Sequence, residues 1–140
     1  MSGALPAPIA VTAPTEAPAY STLVVTIVVP PRTPAVTRRA TLSTSTDGGL
    51  TWSAPVRINA VTSTQAFTAS IEVDAAGNLG VTYLDFRNNN PATPALETDL
   101  WFLRSTNGGT SWSEERVTPA SFDMRAAPNA RGFFVGDYLG

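Results

Sequence analysis

Residues 45–53 read STDGGLTWS, and residues 105–113 read STNGGTSWS. The two phrases agree at Ser, Thr, both glycines, Trp and the final Ser. A nine-residue phrase that returns after sixty positions constrains the chain more than any composition value. The same local structure must be built twice, so the chain is read as a repeat before anything else. Asp47-Gly48-Gly49 lies between two strand-like runs, where a tight hairpin needs positive φ. An Asp or Asn side chain there accepts hydrogen bonds from the backbone N–H groups of its own turn. Ser45 and Thr51 add side-chain bonds across the hairpin. Trp52 supplies a large apolar plate that anchors the turn. Asn107 stands in the second copy where Asp47 stands in the first. It keeps the acceptor oxygen and loses the charge, which suits a turn staple and not a general acid.

Strand-like runs surround the phrases. They are expected at Arg39–Thr44, Pro55–Asn59, Phe67–Val73, Leu79–Phe86, Asp99–Arg104, Glu114–Thr118 and Gly132–Tyr138. Turn signals separate them, including Gly77-Asn78 and the Asn/Pro-rich stretch 87–97. No window carries a helical stripe. The runs are apolar on both faces. Leu79, Val81 and Tyr83 oppose Leu84 and Phe86, and Leu100 and Phe102 oppose Trp101 and Leu103. A sheet with one wet face would alternate apolar and polar residues, so the sheet is expected to be covered on both sides. Residues 67–118 then form one four-stranded antiparallel meander, residues 39–59 the end of a preceding unit, and residues 132–140 the start of a following one. Units of this kind at this interval indicate an all-β fold, a partial β-propeller of about one and a half to two blades. Seven of the twelve prolines fall between residues 6 and 34. Residues 1–38 are therefore read as a Pro/Ala/Thr-rich disordered or linker-like segment, with a possible strand at 22–29.

The residue inventory excludes several chemistries. The chain of 140 residues has no Cys and no His, and its nine basic residues are all Arg. Disulfides, Cys/His metal sites, Ser-His-Asp triads and thiol nucleophiles are absent. So are P-loop and Schiff-base lysines. Any acid–base work falls to Asp, Glu or Tyr. No metal and no cofactor is expected. A net charge of -2 without a basic patch gives no reason to expect a nucleic-acid partner. The longest apolar run, Leu23–Val29, is shorter than the ~18–20 residues of a membrane span. No Arg precedes it before Arg32, so it makes a poor signal peptide.

The pattern Ser-x-Asp-x-Gly-x-Thr-Trp, here Ser45, Asp47, Gly49, Thr51 and Trp52, resembles the Asp-box, or BNR repeat, of sialidases and their relatives. The second copy, Ser105, Asn107, Gly109, Ser111 and Trp112, departs from it at Asn107 and Ser111. AAGN, GVTYLDFR, LWFLRSTNGG and FFVGDYLG also resemble bacterial sialidase-like proteins, so the resemblance covers roughly residues 39–140. It implies a propeller scaffold whose parent is a glycosyl hydrolase, a sialidase (neuraminidase) acting on terminal sialic acids or related glycans, extracellular or at the cell surface. Asp-boxes also occur in propellers without sialidase activity, so a carbohydrate- or protein-binding module is the alternative.

In a meander, alternate connections lie at opposite ends of the sheet. The Asp-box turns occupy one end, and loops 60–66, 87–97 and 119–131 the other. The resemblance places the ligand face at the second end. Its polar groups include Gln65, Asn88, Asn89 and Asn90. The candidates there are Asp85, Arg87, Asp123, Arg125, Arg131, Asp137 and Tyr138. A sialidase needs an Arg cluster for the substrate carboxylate, a Tyr–Glu nucleophile and an Asp acid/base. Asp85-Phe86-Arg87 and Asp123-Met124-Arg125 have suitable chemistry, and each pair reads equally as a loop salt bridge. Tyr83, inside a strand, reads as core. The family's Arg-Ile-Pro motif has its nearest match in Arg57-Ile58-Asn59, which follows an Asp-box on an outer strand and is set aside. A ring needs four to eight blades. The chain is therefore expected to be a fragment, or a truncated gene product, completed by blades from the same parent chain or from another copy, and inactive alone.

Overall fold

The computed structural model describes residues 9–11, 22–28 and 39–129, the first two segments as backbone. The chain is all-β, and among the described residues every strand pairing is antiparallel. Strands β1 (Ile9–Val11), β2 (Thr22–Val28), β3 (Arg39–Ser45) and β4 (Val56–Arg57) form one sheet in chain order. Strands β5 (Ala66–Val73), β6 (Leu79–Asp85), β7 (Glu97–Ser105) and β8 (Ser113–Arg116) form a second, also in chain order. Each sheet thus contains a four-stranded meander, to which the second adds a fifth strand, and each phrase is the turn of the third hairpin.

The first sheet contains the strand expected at 22–29, and it departs from the linker reading of residues 1–38 by adding a further strand at Ile9–Val11. Thr22–Val28 pairs along its whole length with β3, and Ile9–Val11 pairs with β2. The reason lies in where the prolines fall. Proline lacks the N–H that a ladder needs, so it breaks strands only where it sits inside them. Pro6, Pro8, Pro14, Pro18, Pro30 and Pro31 all lie outside β1 and β2. They punctuate the strands. The preceding unit therefore has four strands in this chain. The expected loop 119–131 also contains structure. Strand β9 (Phe122–Asp123) pairs with Glu97 and Thr98 of β7, beyond the point where β8 ends, and a 3-10 turn follows at Met124–Ala126. The strand expected at Gly132–Tyr138 lies outside the described residues.

One face of the second sheet is turned towards the first. Leu79, Val81 and Tyr83 of β6 and Leu103 of β7 are essentially inaccessible to water. They share a core with Ala40, Leu42 and Ile58 of the first unit. Burying each large apolar side chain contributes roughly 1.5–3 kcal/mol before the cost of ordering it. The other face carries Leu100 and Phe102, which stay half-buried, and Phe86, which stacks on Phe67 with ring centroids 4.8 Å apart.

Along the core face the chemistry changes from one end to the other. At the end that carries the repeated turn, Leu79 pairs with Ser105, and Val81 pairs with Leu103. Tyr83 then pairs with Trp101, and Asp85 with Asp99. Two residues of β5 oppose Tyr83 at a bulge between Phe67 and Ser70, where Thr68 has a φ of 50°. The face ends in two buried carboxylates beside loops 60–66, 87–97 and 119–129.

Candidate functional site

The repeated turns, one on each sheet, form one candidate site, and the opposite end of the second sheet forms the other. At the turn end, Ser45 Oγ accepts from Gly49 N at 2.8 Å and donates to Asp47 Oδ1 at 2.8 Å. Asp47 Oδ1 also accepts from Thr51 N at 2.9 Å, and Oδ2 accepts from the Thr51 hydroxyl at 2.6 Å. Trp52 Nε1 donates to the Gly49 carbonyl at 3.1 Å. Gly48 and Gly49 have φ of 74° and 91°, the region in which a side chain is strained. The second copy repeats the serine, backbone and Trp bonds. Ser105 Oγ accepts from Gly109 N at 2.8 Å, Asn107 Oδ1 accepts from Ser111 N at 2.9 Å, and Trp112 Nε1 donates to Gly109 O at 3.1 Å.

One bond reverses. In the first copy the Thr51 hydroxyl donates to the carboxylate. In the second the Asn107 amide donates to the Ser111 hydroxyl at 2.8 Å. A hydroxyl does both, which is why Asp and Asn exchange here. Hydrogen bonds from Thr51, first its hydroxyl and then its amide, and from Ser45 hold the Asp47 carboxyl down at about 2. A carboxylate so fully accepting is a poor proton donor at any ordinary pH. The turn end is built as structure.

At the loop end the second sheet carries a charged network. Arg87 Nε donates to Asp85 Oδ2 at 2.7 Å, and Nη1 donates to Glu114 Oε2 at 2.7 Å. Nη2 donates to the Tyr83 hydroxyl, and that hydroxyl donates to Glu114 Oε1. The guanidinium carbon sits 3.5 Å from the centre of the Trp101 ring, a cation–π contact. Ala60 N, from the connection between the sheets, donates to Glu114 Oε1 at 3.3 Å. Trp101 Nε1 is buried without a well-formed hydrogen bond, yet it lies where it favours the charged form of Asp85.

Asp99 stands opposite Asp85, and like charges at paired positions repel. Each carboxylate has its own Arg. Arg116 donates to Asp99 Oδ1 through Nε at 2.9 Å and Nη2 at 2.6 Å. Thr118, Ser121 and Asn88 also donate to Asp99. The two acids titrate in opposite directions. Burial pushes the Asp85 carboxyl up, and the Arg87 amide and guanidinium only partly offset it. Burial also works against charge at Asp99, but the bonds from Arg116, Asn88, Thr118 and Ser121 outweigh it and hold that carboxyl low. At Glu114 burial is likewise outweighed, by Arg87 and Tyr83, and the carboxyl falls below its usual value. Burial and the bond to Glu114 push the Tyr83 phenol up, so it serves as a neutral donor and not as a phenolate.

The expected ligand-face residues separate. Asp85 and Arg87 come together as a buried ion pair. Asp123 lies apart from them, capping the 3-10 turn; its Oδ1 accepts from Leu96 N at 2.8 Å and Arg125 N at 3.0 Å. Arg125 is exposed beside it. Arg131, Asp137 and Tyr138 lie outside the described residues. Asn89 and Asn90 brace the 87–97 loop against Glu97, and Gln65 is exposed. Arg57 is occupied in its own loop, donating to Asn59 O at 3.0 Å and to Val61 O.

Sequence reasoning missed Asp99, Glu114, Trp101 and Arg116 as members of the network. A charged residue inside an apolar strand, as Asp99 is in β7, was the available signal. Among the described residues, no group of three acidic side chains is placed to hold a metal ion, and no helix is long and apolar enough to cross a membrane. No family model matches the chain, and no curated protein matches it.

Proposed function

We propose that the two sheets are consecutive blades of a sialidase-like Asp-box β-propeller. In this reading the complete ring is an extracellular or cell-surface glycosyl hydrolase acting on terminal sialic acids or related glycans. The other blades come from the same parent chain or from another copy. This chain supplies wall, rim and part of a glycan-facing end. One observation carries the reading: two four-stranded meanders place the same turn at the same hairpin with the same hydrogen bonds. Radial repetition of four-stranded sheets is the propeller plan. The Tyr83–Glu114 pair and the two Arg–Asp pairs at the loop end have the functional groups that the resemblance calls for.

Those groups are also closed on one another. Arg87 is engaged through Nε, Nη1 and Nη2. That observation favours a second reading, a non-catalytic propeller module that binds a carbohydrate or a protein.

An amide-resolved NMR titration of the chain with free sialic acid, alongside a fluorogenic sialoside assay, tests the first reading. It expects no turnover and shifts confined to residues 60–66, 87–97 and 119–131. Shifts at the Asp-box turns, or none at millimolar sugar, remove the glycan-facing end and leave the second reading.

A further inference from the structure

The first sheet meets the second through a joint with a plug and a socket. The plug is Leu42 of β3, which is 5% exposed. The socket is the second Asp-box turn. A Cβ placed on Gly109 would lie 2.7 Å from Leu42 Cδ2 and 3.5 Å from the Trp112 ring. Leu42 therefore fills the space that the missing side chain of Gly109 leaves.

The repeat supplies a second plug and a second socket. Leu42 stands three positions before Ser45, and Phe102 stands three positions before Ser105. Phe102 is half-buried and lines an open groove on the other face of the second sheet, with Glu72, Val73, Asp74, Gly80 and Arg104. Gly49 and Trp52 correspond to Gly109 and Trp112. Among the described residues, a Cβ on Gly49 would meet only Trp52, at 3.6 Å. Trp52 is 41% exposed, and Leu50 beside it is 85% exposed. Among the described residues, the chain thus uses one joint internally and presents the two halves of the same joint on opposite outer faces.

We propose that copies of this chain associate head to tail, with Phe102 of one copy seated against Gly49 and Trp52 of the next. The contact continues an interface that the chain already makes within itself. It is heterologous, because plug and socket are different surfaces, so each added copy leaves one of each open until a ring closes. The inference rests on the reading of the two sheets as equivalent repeats.

Sedimentation velocity on the 14.7 kDa chain, from micromolar to several hundred micromolar, is the first test. A mass that grows with concentration, and an association weakened at least tenfold by Phe102→Asp, is the expected result. A monomer throughout overturns the proposal. Cross-linking identifies the surfaces. The chain has no Cys, so Trp52→Cys and Phe102→Cys each carry a single thiol. Disulfides form only between close, suitably aimed positions. Mixed in equal amounts and oxidised, the two variants should give the mixed dimer at well over twice the amount of either self-dimer, twice being the ratio that random pairing sets. Self-dimers without that excess overturn head-to-tail pairing. The double variant Leu42→Cys/Trp112→Cys probes the internal joint. If it closes while the mixed pair does not, only the contact between copies fails. If it does not close, the reading of the sheets as repeats fails with it.

Discussion

The two repeated turns share a hydrogen-bonded frame, with one bond reversed, and differ in their surroundings. Around Ser45 and Ser105 the distances agree, 2.8 Å to the second glycine's amide in both. Around the second glycines they do not. Gly109 is pressed by Leu42 from the neighbouring sheet, whereas among the described residues a side chain on Gly49 would touch only Trp52. The local turn is set by nine residues of sequence. What the turn holds against is set by the sheet next door. Separating the two contributions shows which of them the repeated phrase encodes.

The largest expected effect comes from the glycines. Gly109→Ala combines a φ of +85° with a Cβ 2.7 Å from Leu42 Cδ2. Left-handed strain of ~1–2 kcal/mol and overpacking of ~1–3 kcal/mol give a loss of about 3 kcal/mol in chemical denaturation. Gly49→Ala carries the strain alone and should cost about 1 kcal/mol. Equal losses would mean that Leu42 yields freely and that the two turns are not distinguished by packing.

Next come the serines, where the comparison should vanish. Ser45→Ala and Ser105→Ala each remove one buried hydroxyl that accepts from two amides and donates to the side chain two residues on. Each should cost about 1–2 kcal/mol, and the two should agree within experimental error. A large inequality would break the claim that the turns are locally the same.

The smallest effect is in acid. Asp47 is held at about 2, below its ordinary value of 3.8, chiefly by the bonds from Thr51. The folded state therefore binds this proton less readily than the unfolded chain. Its contribution is complete above about 3.8 and disappears as pH falls through about 2. Asn107 has no charge to lose. The Thr51 amide resonance should shift with a midpoint near 2 while the Ser111 amide shows no matching step. A shared step in both would mean that the titrating group lies elsewhere.

The turns were legible in the sequence because their backbone demands particular residues at fixed places. Positive φ needs the glycines, and the acceptor must sit two positions after the serine. Strands β5 to β8 were legible to within a residue or two, since apolar runs and turn residues mark them. Strand β2 was legible as the apolar run at 22–29, whereas β1 was obscured because a proline-rich average hides where the prolines fall. The charged network was the least legible part. Asp85, Asp99, Glu114 and Arg116 come from three strands, and only the register brings them together. Arg87 could be paired with Asp85 from sequence because the two are neighbours. Its bonds to Tyr83 and Glu114 could not.

The reversed hydrogen bond in the second turn has a consequence for a molecule built from many such turns. If every turn required a carboxylate, each added copy would bring a negative charge, and neighbouring copies would repel one another. A hydroxyl four positions after the serine-coupled acid position, at Thr51 or Ser111, accepts either partner. The charge carried at the turn is thereby released from the shape of the turn. Selection can set one while the other stays fixed.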